Sequence, residues 1–166
     1  MTHMSLPKFL TTGEEICRTP KLLRKGSDLM SFIRVIHDFI AGFEGFSDMQ
    51  ISVGYASGGF NEVCVREGSG VSIIREYADG DNLVKREFFV DYVIPCGMGN
   101  DSEFQNSDFI EEFGSWLDEK SYNEDLPKID GRECISVQLE DYEISASAGV
   151  KKYSMVCSVK YLKRRD

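Results

Sequence analysis

Histidine is scarce in this 166-residue chain, with only His3 and His37. That leaves little material for a histidine nucleophile relay or a histidine-rich metal set. His37 falls beside an apolar helical stripe with no second ligand near it in sequence, so it reads as a boundary residue. No Gly-x-Ser-x-Gly elbow occurs, which removes the usual setting of a serine nucleophile. The step Gly68-Ser69-Gly70 lacks the third glycine of a dinucleotide fingerprint and the Gly-Lys-Ser/Thr of a phosphate loop, so it reads as a turn.

Long apolar runs are also missing. None approaches the ~18 residues needed to span a bilayer, and Met1 to Phe9 has neither a long apolar stretch nor a small-residue cleavage site, so no signal peptide is expected. The five cysteines (Cys17, Cys64, Cys96, Cys134 and Cys157) are odd in number, widely spaced and without a Cys-x-x-Cys pair. Reduced thiols in a cytoplasm fit that pattern. Cys64, Cys134 and Cys157 lie in strand-like apolar stretches and read as small core residues.

Positive charge is in deficit. Nineteen Lys and Arg stand against 28 Asp and Glu, a formal net charge of -9. Phosphate binding draws on clustered bases, so direct nucleic-acid binding is not expected, nor is a membrane surface. The bases gather near the ends, at Lys21, Arg24 and Lys25 and at Lys160, Lys163, Arg164 and Arg165. Solvated termini are the plain reading. Opposite charge at two ends of a subunit would also help neighbours dock.

What the chain does have is apolar mass. Hydrophobic residues make up 42%, with 11 Phe and 7 Tyr, enough for one domain with a real core. We divide it into an N-terminal extension, 1–26, and a single domain, 27–166. In the extension, Thr12 to Glu15 has capping-box spacing, with Pro20 beyond it. Leu29, Phe32, Ile33, Ile36, Phe39, Ile40 and Phe43 recur at three and four residues, predicting a helix over 27–43 capped by Ser27 and ended near Gly42 and Gly45.

Alternation predicts strands over 50–56, with Ile51, Val53 and Tyr55 on one face, and over 60–66. A turn at Ser57 to Gly59 separates them, and a break at Glu67 to Gly70 follows. A hairpin comes next, 71–77 and 83–95, around Ala78-Asp79-Gly80-Asp81-Asn82. Phe88, Val90, Tyr92 and Ile94 should face the core, and Phe89, Asp91 and Val93 a partly covered side.

After a loop over 96–106, a second helix is predicted over 107–122. Ser107 or Asp108 would cap it, with Glu111 and Glu112 at its positive end and Phe109, Phe113, Trp116 and Leu117 as its stripe. Glu111, Glu112, Asp118 and Glu119 could suggest a carboxylate site, but with no His or Asn partner they read as a solvated face. Leu126-Pro127 closes the helix. A final hairpin, 134–144 and 150–163, turns at Ser145 to Gly149 and places Tyr153, Met155, Cys157, Val159 and Tyr161 on one face. The expected fold class is α+β: a mainly antiparallel or mixed sheet with two principal helices on one face.

Several of these segments, in order, carry a resemblance. They are Arg75-Glu76-Tyr77-Ala78-Asp79-Gly80-Asp81, then Arg86-Glu87-Phe88-Phe89-Val90, then Gln105 to Glu119 with its Phe113-Gly114-Ser115-Trp116-Leu117 core, then Leu126-Pro127, then Lys152 to Tyr161. The set resembles the minor capsid or tail-terminator-like (head–tail joining) proteins of siphophages and Gram-positive prophages. It departs from them in the N-terminal extension and in Asp81, where serine is common.

The resemblance implies a non-catalytic virion component, assembled in the host cytoplasm, without cofactor or metal. It implies a ring, six subunits being the expected number, with tail-tube and head-connector proteins as further partners. The contacts expected on this basis are the two hairpin turns: Asp79, Gly80, Asp81 and Asn82, flanked by Tyr77, Lys85 and Arg86; and Ser145, Ser147 and Gly149. Solvent-exposed hairpin tips are the plainer alternative for both. Two other functions stay open: a partner- or ligand-binding module, and a small enzyme working through carboxylates.

Overall fold

The computed structural model describes residues 31–57, 59–97 and 100–165, with side chains throughout except at 100–104. The extension at 1–26, the Ser27 cap, His3, Cys17 and the first basic group lie outside the described residues. Within them the fold is α+β: one five-stranded mixed sheet and two principal helices.

The first helix, α1, is Phe32–Ile40. Phe32, Ile36 and Ile40 repeat every four residues and are buried, and Val35, left out of the predicted stripe, is buried with them. Ser31 stands at its N-cap in extended backbone. Past Ala41 the chain turns through a short 3-10 segment, Glu44–Phe46, that buries Phe43 and Phe46.

The strands are β1, Gln50–Val53; β2, Glu62–Glu76; β3, Asn82–Pro95; β4, Arg132–Ser147; and β5, Val150–Lys163. Their order across the sheet is β1-β2-β3-β5-β4. All neighbours are antiparallel except β1 and β2, which run parallel with Gln50 beside Glu62 and Val53 beside Val65. The predicted strand at 50–56 ends early, at Val53, because Gly54 takes a positive φ of 90° and turns the chain away. Tyr55 therefore stands in solvent rather than on the strand face.

The predicted break at Glu67 to Gly70 is an irregularity inside one long strand, since β2 runs through it with its register against β3 shifted between Glu67 and Val71. The backbones come very close there. A Cβ at Gly68 would stand 2.6 Å from the Glu87 carbonyl oxygen.

The alternation in β3 and β5 falls as expected. Phe88, Val90, Tyr92 and Ile94 pair across with Cys157, Met155, Tyr153 and Lys151, and the apolar members form the core floor. The second helix, α2, is Asn100–Tyr122, starting seven residues before the predicted 107. Ser107 and Asp108 thus lie inside the helix, and Glu111 and Glu112 sit mid-helix, away from its positive end. Packing of the Phe109 ring on Tyr92, Phe43 and Phe46, with centroids 4.9 to 5.8 Å apart, outweighs the local capping preference.

Both helices cover the same sheet face, α1 over β1 and β2 and α2 over β4. They meet through Phe39 on Trp116 and Phe43 on Phe113, each with centroids 5.2 Å apart. The last turn is tighter than predicted. Ser145, Ala146 and Ser147 belong to β4, and Ala148 and Gly149 alone join the strands, both with positive φ, 49° and 78°. This is the two-residue geometry that matches strand twist.

Candidate assembly surface

The two hairpin turns lie at opposite ends of the sheet. Glu76 and Asn82 are level with Lys163 and Arg132 at one end; Glu62, Val93, Lys152 and Ser145 are level at the other. The structure therefore does not bring the two predicted contact groups together.

The first turn is tied internally. Tyr77 N–H donates to the Asp81 carbonyl at 2.9 Å, and Gly80 N–H to the Tyr77 carbonyl at 3.0 Å. The Asp79 carboxylate accepts the Asp81 N–H, and the Asp81 carboxylate accepts the Arg165 N–H at 2.9 Å. The C-terminal basic run is thus fastened against this tip. Arg75 stacks its guanidinium 5.9 Å from the Tyr77 ring centre, and Asn82 opens β3.

Lys85 and Arg86 are engaged within the chain. Lys85 pairs with Glu140 at 2.8 Å across β5, on the sheet face away from the helices. Glu140 also accepts the Ser158 hydroxyl at 2.6 Å, and the Lys85 ammonium above all holds its carboxyl below the usual range. Arg86 points the other way, into the helix face, where it pairs with Glu67 and lies 3.9 Å over the Phe32 ring. Its Nε is buried without a hydrogen-bond partner, and burial pushes its pKa down.

At the other end, Gly149 carbonyl accepts the Cys96 N–H at 2.8 Å. Ser145 and Ser147 stand exposed on β4.

A feature missed by sequence reasoning dominates the sheet margins. β1 covers the outer edge of β2 only as far as Val65, where Gly54 N–H reaches the Val65 carbonyl at 2.9 Å. From 66 to 76 no described strand pairs with that edge. β4 forms the other margin. There Ser121 of α2 takes both backbone groups of Val137, donating to its carbonyl at 2.6 Å and accepting its N–H at 2.8 Å. Past Leu139, residues 140–147 are exposed throughout.

Each open stretch carries large apolar side chains in solvent. Val71 and Ile73 are 61% and 55% exposed, and Tyr142 and Ile144 are 41% and 53% exposed. Natural edge strands usually avoid this. Their alternation was visible in the sequence, but their freedom depends on strand neighbours, which alternation does not reveal.

Glu62 is a second residue sequence reading passed over. It is 2% exposed, yet charged. Its carboxylate accepts the Ser57 N–H at 2.7 and 2.8 Å, the Ser57 hydroxyl at 3.0 Å and the Ser52 hydroxyl at 3.0 Å. The Ser57 N–H is the main cause of its lowered pKa. Arg66 and Asp91 form a two-bond pair at 2.6 and 3.0 Å on the same face, with the guanidinium 4.8 Å from the Phe89 ring centre.

The helix acids form no cluster with histidine or cysteine, and no group of three such side chains suited to a metal occurs among the described residues. Glu112 and Glu119 border an open groove with Trp116 and Glu44. His37 bonds its neighbour Asp38 at 2.9 Å. Cys64 and Cys157 are buried in the sheet, Cys134 is half-buried and Cys96 is exposed. No helix among the described residues is long and apolar enough to cross a membrane.

No protein-family model matches the chain, and no curated protein matches it.

Proposed function

We propose that this protein is a structural component of a phage or prophage particle, a tail terminator or minor capsid protein that acts at the head–tail junction by assembling with copies of itself. Its mechanism is binding geometry: a head-to-tail joint between copies that closes into a ring. Tail-tube and head-connector proteins are the further partners this reading gives it.

The observation that carries the self-assembly half is the pair of open sheet edges. Each leaves its backbone without a strand partner among the described residues and holds bulky apolar side chains in water, a template for another strand. The head–tail half leans on the resemblance noted in the sequence. Its segments fall, in order, on the β2–β3 hairpin, β3, α2, the link at Leu126-Pro127, and β5.

Light scattering after size exclusion, across a concentration series, tests the reading. Growth from the 18.8 kDa chain toward one discrete closed species is expected. A mass that stays at one chain at every concentration would overturn self-assembly.

A further inference from the structure

The two open edges complement each other within one chain. Val71 and Ile73 lie level with Arg86 and Val84 of β3, which lie level with Val159 and Tyr161 of β5. Tyr142 and Ile144 lie level with Met155 and Tyr153. All four therefore belong to the helix-bearing face, and all four are exposed on it. The strands also run oppositely, since β2 is antiparallel to β3, β3 to β5, and β5 to β4. A copy placed beside another in the same orientation brings its β2 against the neighbour's β4 as an antiparallel pair.

Strand direction and side-chain face together fix where a residue's N–H and C=O point. On β2 the helix-face residue Val65 points its carbonyl outward, to Gly54. On β4 the helix-face residue Val137 points both groups outward, to Ser121. By the same rule Val71, Ile73, Tyr142 and Ile144 present their backbone groups outward; the Tyr142 N–H donates to the exposed Asp141 carboxylate at 2.8 Å, a bond that an added strand replaces.

We propose that residues 140–147 of one copy add to residues 66–76 of the next, with Val71 opposite Ile144 and Ile73 opposite Tyr142. This rests on the reading that the chain assembles with itself, and it names the surface and the register. Three further features fit the same register. Arg75 lies level with Leu83 on the face away from the helices, where it meets Glu140 and Asp141 of the neighbour; Asp141 is level with Val156 there. The neighbour's two-residue turn, Ala148-Gly149, stops against the end of β1, which occupies β2 up to Val65. Leu139 falls opposite Glu76, so the contact ends where Ser121 has closed the β4 edge.

In this register Glu76 of one copy is level with Leu139 of the next, whereas within one chain Glu76 is level with Arg132. Successive copies are thus staggered along the strands by roughly 20 Å, at about 3.3 Å per residue. A constant stagger at each joint tilts the strands against the assembly axis, which is how a closed sheet accommodates it.

The test uses two surface variants of the full chain, Ile73→Lys and Ile144→Lys. Each spoils one edge and leaves the other intact, and each is expected to weaken self-association by about tenfold or more. Alone, each variant should remain a monomer where the natural sequence assembles. Mixed in equal amounts, they should form a dimer of one of each and grow no further, because the only intact joint joins them. That dimer also proves both variants folded. Variants that assemble like the natural sequence, or a mixture that stays monomeric while both give folded circular dichroism spectra, would overturn this joint and leave self-assembly standing. A natural sequence that never assembles would overturn both.

Discussion

The carboxylate of Glu62 holds the backbone N–H of Ser57, five residues earlier, through both of its oxygens at 2.7 and 2.8 Å. This joint makes the short parallel return from β1 to β2 workable. Parallel strands usually need a dozen or more residues of crossover, and here residues 54–61 do it with a buried acid as their anchor.

Glu62→Gln should therefore cost about 1–3 kcal/mol, the usual loss for a charge-assisted hydrogen-bond set. The pH dependence follows from the lowered pKa. A carboxylate lowered on folding stabilises the fold above its unfolded value and loses that contribution as pH falls through the folded one. Glu62 and Glu140 both shift downward from 4.5, so stability should decline as pH drops below that value. Urea unfolding at neutral pH and in mild acid checks both points: the natural chain should lose more stability than Glu62→Gln on acidification.

The Arg66–Asp91 pair should respond unequally to removal of either partner. Asp91 is 4% exposed, while the Arg66 side chain retains access to water. Arg66→Met strands a buried carboxylate and should cost about 3 kcal/mol. Asp91→Ala frees an arginine that can turn outward, and should cost about 1–2 kcal/mol. Denaturant midpoints of the two variants read the order directly; equal losses would show that the carboxylate is not held dry.

How much of this could be read from the chain divides along a physical line. Side-chain alternation is a local property, so the buried rows Phe88 to Ile94 and Tyr153 to Tyr161 were legible, as were the Phe113–Leu117 stripe and the α+β class. Strand neighbours are not local. Nothing in Gln50 to Val53 says that it pairs in parallel with Glu62 to Val65, and nothing in Glu62 distinguishes a buried anchor from a surface acid. Glu67 to Gly70 looked like a break because glycine usually marks one, but the cause was close approach of β3. The open edges follow from sheet order, which only the assembled topology supplies. The two turns chosen as contacts were legible as turns, but one proved bound to Arg165 and the other shorter than expected.

Gly68→Ala tests the close approach. The added methyl would meet backbone of Glu87, with its carbonyl oxygen at 2.6 Å and carbon at 2.8 Å. Backbone within a paired strand cannot swing aside as a side chain can, so the irregularity must open. A cost of about 1–3 kcal/mol is expected, as for overpacking elsewhere. Thermal unfolding measures it, and an unchanged midpoint would mean that this part of β2 is not held against β3.

Ala148 offers the opposite sign. It occupies a left-handed conformation, φ 49°, at the first position of the two-residue turn before Gly149. An L-residue with a Cβ pays about 1 kcal/mol there, whereas asparagine tolerates the conformation and leads the Asn-Gly pair favoured in such turns. Ala148→Asn should stabilise the protein by about 0.5–1 kcal/mol in denaturant unfolding. The turn also lies where the neighbour's β1 would end in the proposed joint, so the same variant reads a second quantity. If the turn only caps the hairpin, stability rises and self-association is unchanged. If it abuts a neighbouring copy, the larger polar side chain at 148 weakens assembly while the fold gains stability, and light scattering on the same sample separates the two.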